Sequence, residues 1–381
     1  MRGFSACSKD DSGNQQQEPE YPSPTPVPSA DYKGLAFISS GESTVRLAQV
    51  GTPYEISLEY STDESHWKPY TIGETITLAD STFLLFRSGE HKNRKFSKDD
   101  ENYYHFEISG PISAQGNIMS LLNRDFSTPL TFYGFFALFE GCTSLLSAPE
   151  LPATKMEQGC YFGIFSECTG LTSAPELPAN VLANNCYGWM FKGCSALTSA
   201  PELPATEMGS YCYNGMFANC TKLTSAPELP AKRLESNCYN CMFEGCTSLT
   251  SAPELPATYL VRECYHSMFN GCTSLASAPK LPATTVEWGC YSEMFQGCTS
   301  LTSAPELPAK ELIRNCYQLM FKDCSKLRYV KALFTTSPSE ETTKDWLSGV
   351  AASGTFIKSK KATWDVTSAH GVPEGWKIET W

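Results

Sequence analysis

The sequence predicts an α/β solenoid of 26-residue repeats standing behind a small N-terminal β-sandwich. Three observations lead there: two cysteine ladders of equal step, a seven-residue text that recurs with them, and a change near residue 116 from period-two alternation to this longer period. One ladder runs Cys142, Cys168, Cys194, Cys220, Cys246, Cys272, Cys298, Cys324 and the other Cys160, Cys186, Cys212, Cys238, Cys264, Cys290, Cys316. Only Cys7 and Cys241 fall outside them. A strict period of this length marks a stack of like units, each burying its neighbour's face. SAPELPA recurs seven times with one change, Lys280.

Within a unit, Leu182, Cys186, Met190 and Cys194 stand at i, i+4, i+8 and i+12, flanked by Tyr187 and Phe191. This spacing predicts one helix per repeat with a buried apolar face. Gly193 and its equivalents, mostly Gly or Asn, predict a left-handed residue at the end of that helix. The other arm, Leu171 to Ala179, carries Pro175 and Pro178, so its parallel strand is expected to span only about three residues.

The text CYxxMFxGCTSLTSAPELPAT, found at Cys238–Thr258, resembles the BspA-like leucine-rich repeats of Bacteroides-type bacterial surface proteins, over about Gly116 to Leu333. The resemblance implies a leucine-rich-repeat solenoid on a cell surface that binds host extracellular proteins or other bacteria. Gly116–Gly141 keeps Met119, Leu122, Phe135, Leu138 and Phe139 in register but has Gly134 in place of the second cysteine, as an N-terminal capping repeat would. After Leu327 the pattern dissolves, which predicts a C-terminal cap.

The expected organisation is a polar tether over 1–30, a β-sandwich of immunoglobulin-like type over 31–115, the solenoid over 116–333 and the cap over 334–381. The tether contains QQQEPEYPSPTPVPSA, which cannot bury a core. Phe4-Ser5-Ala6-Cys7 resembles the end of a bacterial lipobox, and Ser8-Lys9-Asp10-Asp11 a short acidic export signal; together they imply lipidation at Cys7 and an outer-membrane, cell-surface location. In the sandwich, alternation over Thr44–Leu47, Tyr54–Tyr60, Thr75–Leu78 and Tyr104–Ile108, with a more continuous strand over Thr82–Arg87, predicts six or seven strands. The fragment Tyr60–Trp67 is expected to be a hairpin with Trp67 in the core, in preference to a carbohydrate-binding loop. In the tail, Ser337-Pro338-Ser339-Glu340 has capping-box spacing and predicts a helix over Glu341–Leu347. Thr355–Lys358 and Trp376–Glu379 read as strands.

The formal net charge of −12 argues against nucleic acid or an anionic lipid surface as a partner. No HExxH, GxSxG, GxGxxG or P-loop pattern occurs, and the five histidines are scattered. Cys238-Tyr239-Asn240-Cys241 is a CxxC, but its βαβ context is missing and position 241 varies among the repeats. Cysteines of the two ladders are too far apart along one helix to share a zinc ion. No catalytic residue, metal ligand or cofactor is therefore expected. The column Glu150, Glu176, Glu202, Glu228, Glu254, Lys280, Glu306 reads either as a solvated edge or as a stripe for a cation or basic ligand. The expected function is non-enzymatic adhesion to an extracellular protein or another cell. Its alternative is glycan capture by a surface lipoprotein, for which Trp189, Tyr211, Tyr259 and Trp288 are the candidate outward aromatics. The membrane enters only through the lipid anchor.

Overall fold

The computed structural model describes residues 27–363 and 369–381. Cys7 and the tether up to residue 26 lie outside the described residues. The sandwich is built from β1 (Leu35–Ser39), β2 (Ser43–Val50), β3 (Leu58–Ser61), β4 (Lys68–Pro69), β5 (Thr75–Leu78), β6 (Phe83–Ser88), β7 (Tyr103–Ser109) and β8 (Ile112–Gln115). One sheet runs β5-β2-β7; the other runs β4-β3-β6-β1-β8 and continues into β9 (Leu145–Ser147). Phe106 of β7 meets Phe37 of β1 at 5.1 Å and Phe86 of β6 at 5.6 Å, so the two sheets share one aromatic core. Central β1 is apolar on both faces, which hides it from a search for alternation. Tyr54–Ser57 lies outside any strand. Trp67 is also not in the core. Its half-exposed ring lies between Tyr32, at 5.8 Å, and the Arg87 guanidinium, at 3.7 Å.

The sandwich and the solenoid are continuous. β8 pairs antiparallel with β1 on one side and parallel with β9 on the other. On the opposite arm, the N–H groups of Phe96 and Phe106 donate to the carbonyls of Gly134 and Leu138 at 2.8 and 2.7 Å. Phe106 also stacks on Phe139 at 5.3 Å, so the phenylalanine ladder of the repeats begins inside the sandwich.

The 26-residue solenoid stands as expected, but its helical arm does not form. Among the described residues the only α-helix is α1 (Glu340–Thr343). From Asn185 to Gly193, φ is positive at Asn185, Tyr187, Trp189 and Gly193, between 53° and 73°, which no right-handed helix accommodates. N–H groups alternate between short links within a rung, such as Met190 to Tyr187, and bonds to the next rung, such as Trp189 to Asn214, Phe191 to Met216 and Gly193 to Ala218 at 2.8–2.9 Å. The reason is space. Stacked rings in adjacent rungs lie 5.6–5.8 Å apart in the phenylalanine ladder from Phe139 to Phe321 and 5.6–6.1 Å apart in the tyrosine ladder from Tyr161 to Tyr317. A helix with its side chains is about 10 Å wide, so one helix per rung does not fit. The Gly193 column is left-handed as read, including Glu167, Asn219 and Asp323 at about 60°, but it closes a chain of turns. At Gly193 itself a Cβ would fall 2.4 Å from the Glu167 carboxylate.

The proline arm is more open than a strand. In the middle of the array it forms only isolated bridges, such as Ser147 with Ser173 and Ser225 with Ser251, and the two-residue pair β10 (Val181–Leu182) and β11 (Glu207–Met208) follows it. Two prolines per rung at the same register remove the donors a ladder needs. Where the prolines give way to Tyr329–Ala332, a true sheet appears: β12 (Ser303–Leu307), β13 (Tyr329–Ala332), β14 (Thr355–Lys358) and β15 (Lys377–Thr380) pair in parallel.

The tail extends the solenoid under a changed sequence. Tyr329 pairs with Thr355, the N–H of Phe321 donates to Trp346 O at 2.9 Å, and Gly349, with φ of 75°, stands 26 residues after Asp323. Trp346 is fully buried where earlier rungs have Met320 and its equivalents. The expected helix over Glu341–Leu347 shortens to α1, capped by Ser339 and Thr342 in place of Ser337 and Glu340. Left-handed Asp345 returns the chain to the rung pattern.

Candidate binding surfaces

The repeated cysteines are occupied by architecture. All fifteen ladder cysteines are free and buried. In the first ladder each thiol from Cys168 onward donates to the carbonyl of a phenylalanine 29 residues earlier, as Cys194 to Phe165, Cys220 to Phe191 and Cys246 to Phe217, each at 3.1 Å, while Cys142 donates to Phe106 of the sandwich. A small apolar side chain with one weak donor suits this clip between rungs. Burial pushes Cys168, Cys238, Cys246, Cys264, Cys316 and Cys324 up to about 12. Six hydroxyls of the tyrosine ladder (Tyr161, Tyr187, Tyr213, Tyr239, Tyr265 and Tyr317) are buried without a hydrogen-bond partner among the described residues.

Cys241, the extra cysteine, sits half-buried in a left-handed turn, its N–H on His266 O at 2.9 Å. Burial first, then Glu244 and Glu293, push its thiol up to about 12. A nucleophilic cysteine needs the reverse, a thiolate held by positive charge. His266 on the next rung is shifted downward by burial, and its Nδ1 has no hydrogen-bond partner among the described residues. Among the described residues no three His, Cys, Asp or Glu side chains gather where a metal ion would sit.

Two continuous outward surfaces remain. The first is a trough along the proline arm. Between each pair of rungs from Ala148 to Pro256 lies a depression of about 370–590 Å³, walled by prolines and bordered by a glutamate of each rung. Pro175, Glu176 and Pro178 close one depression and open the next, as do Pro201, Glu202 and Pro204. Glu150, Glu176, Glu202, Glu228 and Glu254 make no ion pair within 4 Å among the described residues, whereas Glu306 is bound by Lys331 at 2.5 Å. Exposed Lys280 likewise makes no ion pair within 4 Å among the described residues, so it does not neutralise its neighbours by pairing.

The second surface is an aromatic ridge on the turn arm. Tyr103 and Tyr133 meet Phe136 at 5.2 and 5.6 Å, Phe136 stacks on Phe162 at 5.6 Å, and Phe162 meets Trp189 at 5.2 Å. The sequence signal was present but small: Phe136 and Phe162 are 26 apart, and Gly188 follows in their column. A Cβ at Gly188 would lie 2.8 Å from Phe162, so the missing side chain admits the ring.

Of the four outward aromatics, the structure joins only Trp189 to this ridge. Trp189 is 45% exposed, but Phe162 lies against its ring, Gly215 lies close to the ring edge, and Asn214 accepts from its Nε1 at 3.0 Å. Tyr211 and Tyr259 are exposed separately, and the half-buried Trp288 carries Arg262 over its ring at 4.3 Å. No ring contact links these three among the described residues.

Stacked rungs, a proline arm and a leucine-lined core define a leucine-rich-repeat solenoid, a scaffold for binding. The sequence profile of the BspA type leucine rich repeat region matches residues 137–275 and 210–338, in 6 copies, more than half of the chain, and the chain belongs to that family. No curated protein and no solved structure matches it. No helix among the described residues is long and apolar enough to cross a membrane.

Proposed function

We propose that the chain is a non-enzymatic adhesion protein of the bacterial cell surface, engaging extracellular proteins or other cells through its solenoid. In this reading Cys7 carries the lipid anchor at the outer membrane, and the polar tether lifts the sandwich and array away from it. The observation that supports it best is the division of each rung. Nucleophile-capable thiols point inward and are silenced by burial, while the trough and ridge repeat outward over several rungs. The ridge favours a protein over a glycan, since sugar rings stack on open aromatic faces and Phe136 and Phe162 present mainly edges.

Clustered protein on beads is expected to bind immobilised extracellular-matrix proteins or whole cells at least about 100-fold more strongly than soluble monomer, as multivalency requires. Cys241→Ser is expected to leave that binding unchanged. Binding confined to a glycan array would establish the glycan reading instead. Turnover of a peptide, glycan or ester that Cys241→Ser abolished would overturn the assignment.

A further inference from the structure

We propose that the trough between Ala148 and Pro256 seats an extended, lysine- or arginine-bearing segment of a partner polypeptide, an inference that rests on the binding role above and names its partner's chemistry. The walls come first. Each depression is lined by prolines from two successive rungs, giving rigid apolar sides, with Thr154 joining the lining of the first and Lys232 that of the fourth. Such walls suit the methylene stem of a long basic side chain, which buries its stem and keeps its charged head at the polar rim. The rim is carboxylate on both sides at each step, from Glu150 to Glu254.

These carboxylates make no ion pair within 4 Å among the described residues, and the one basic side chain lining a depression is Lys232, beside Glu228 and Glu254 in the last of them. Rungs about 4.8 Å apart place five like charges in one file, and no lysine or arginine of the described chain pairs with them. The contrast lies within the same column: Glu306, beyond the trough, is answered by Lys331. Beneath the rim the main chain is also open, because the N–H groups of Glu176, Glu202, Glu228 and Glu254 donate to no described group. Five rungs span about 19 Å, the length of roughly six extended residues, of which alternate side chains face the trough. Three basic side chains therefore fit one pass.

The test uses the full chain and a fluorescein-labelled oligolysine peptide, with oligoglutamate and Gly-Ser peptides as controls, read by anisotropy at about 50 and 150 mM salt. Glu176→Lys, Glu202→Lys and Glu228→Lys together are expected to weaken oligolysine binding at least tenfold. The same three changed to Gln should give a smaller loss. Glu90→Lys, Glu287→Lys and Glu374→Lys alter net charge equally at exposed sites elsewhere and are expected to change binding less than threefold. Equal loss in both lysine sets, or no oligolysine binding by the parent chain at low salt, overturns the proposal. So does displacement of the peptide by millimolar Ca²⁺ alone, which would make the column a cation stripe. Cell attachment that persists in the trough variant sinks the trough and leaves the adhesion role standing.

Discussion

Raising the pH from 7 to about 10 in the presence of reductant is expected to unfold the solenoid in one steep transition. The fifteen ladder thiols are held protonated by burial, several pushed up to about 12. In the unfolded chain they ionise near their ordinary value, about 8.5. Below that pH both states hold the proton and the thiols add no pH dependence. Above it the unfolded state releases protons that the folded state keeps, so stability falls as pH rises. Each thiol contributes about 1.36 kcal/mol per pH unit, or about 2 kcal/mol by pH 10. Summed over the ladders this is on the order of 30 kcal/mol, above the 5–15 kcal/mol typical of folded domains. The buried tyrosines, also raised by burial, act in the same direction at higher pH. Thiolate absorbance and loss of tryptophan fluorescence structure should rise together. Thiols that titrate near 8.5 while the fold persists to pH 11 would show that the ladders are open to solvent.

Removing residues 339–381 is expected to be far more damaging than removing 26 residues from the middle. The truncation takes away the carbonyls of Lys344, Trp346 and Ser348, which accept from Leu319, Phe321 and Asp323. Each of these donors at the bared end exchanges a protein acceptor for water, a net loss of about 0.5–1.5 kcal/mol per bond. It also removes the Trp346 ring that packs on Phe321 and Phe334, a loss of roughly 3–5 kcal/mol. The bared end would fray and associate, seen as high-mass species on gel filtration. Deleting Thr221–Cys246 joins Cys220 to Thr247 in register, so each contact at the junction is replaced by its equivalent. That variant should elute as a folded, shorter monomer. The opposite ranking would contradict a stack of interchangeable rungs.

Period and core were legible because each rung repeats them. Leu182, Cys186, Met190 and Cys194 are buried as read. Their spacing of four fitted a helix equally well, and nothing local in the text separates the two. What decides is the distance between rungs, a property of the stack that no single repeat contains. The bulky left-handed residues Tyr187 and Trp189 would not be assigned φ above zero from sequence, since the conformation is held by bonds to neighbouring rungs. The ninth rung was hidden for a related reason: Trp346 and Gly349 keep the register while every cysteine is gone. The glutamate column was visible in the text. The depressions between its members required the proline rings of adjacent rungs to be placed side by side.

Residue-resolved amide hydrogen exchange at neutral pH tests the rung architecture most directly. The amides of Phe191, Phe217, Phe243, Phe269 and Phe295 donate to the following rung at 2.9 Å and should exchange slowest in the protein. The amides of Glu176, Glu202, Glu228 and Glu254, on the open proline arm, should exchange near the rate of an unstructured chain. Phenylalanine amides of this column that exchange as fast as the glutamates, or protected glutamates along the trough, would contradict both the rung-to-rung bonding and the open binding face.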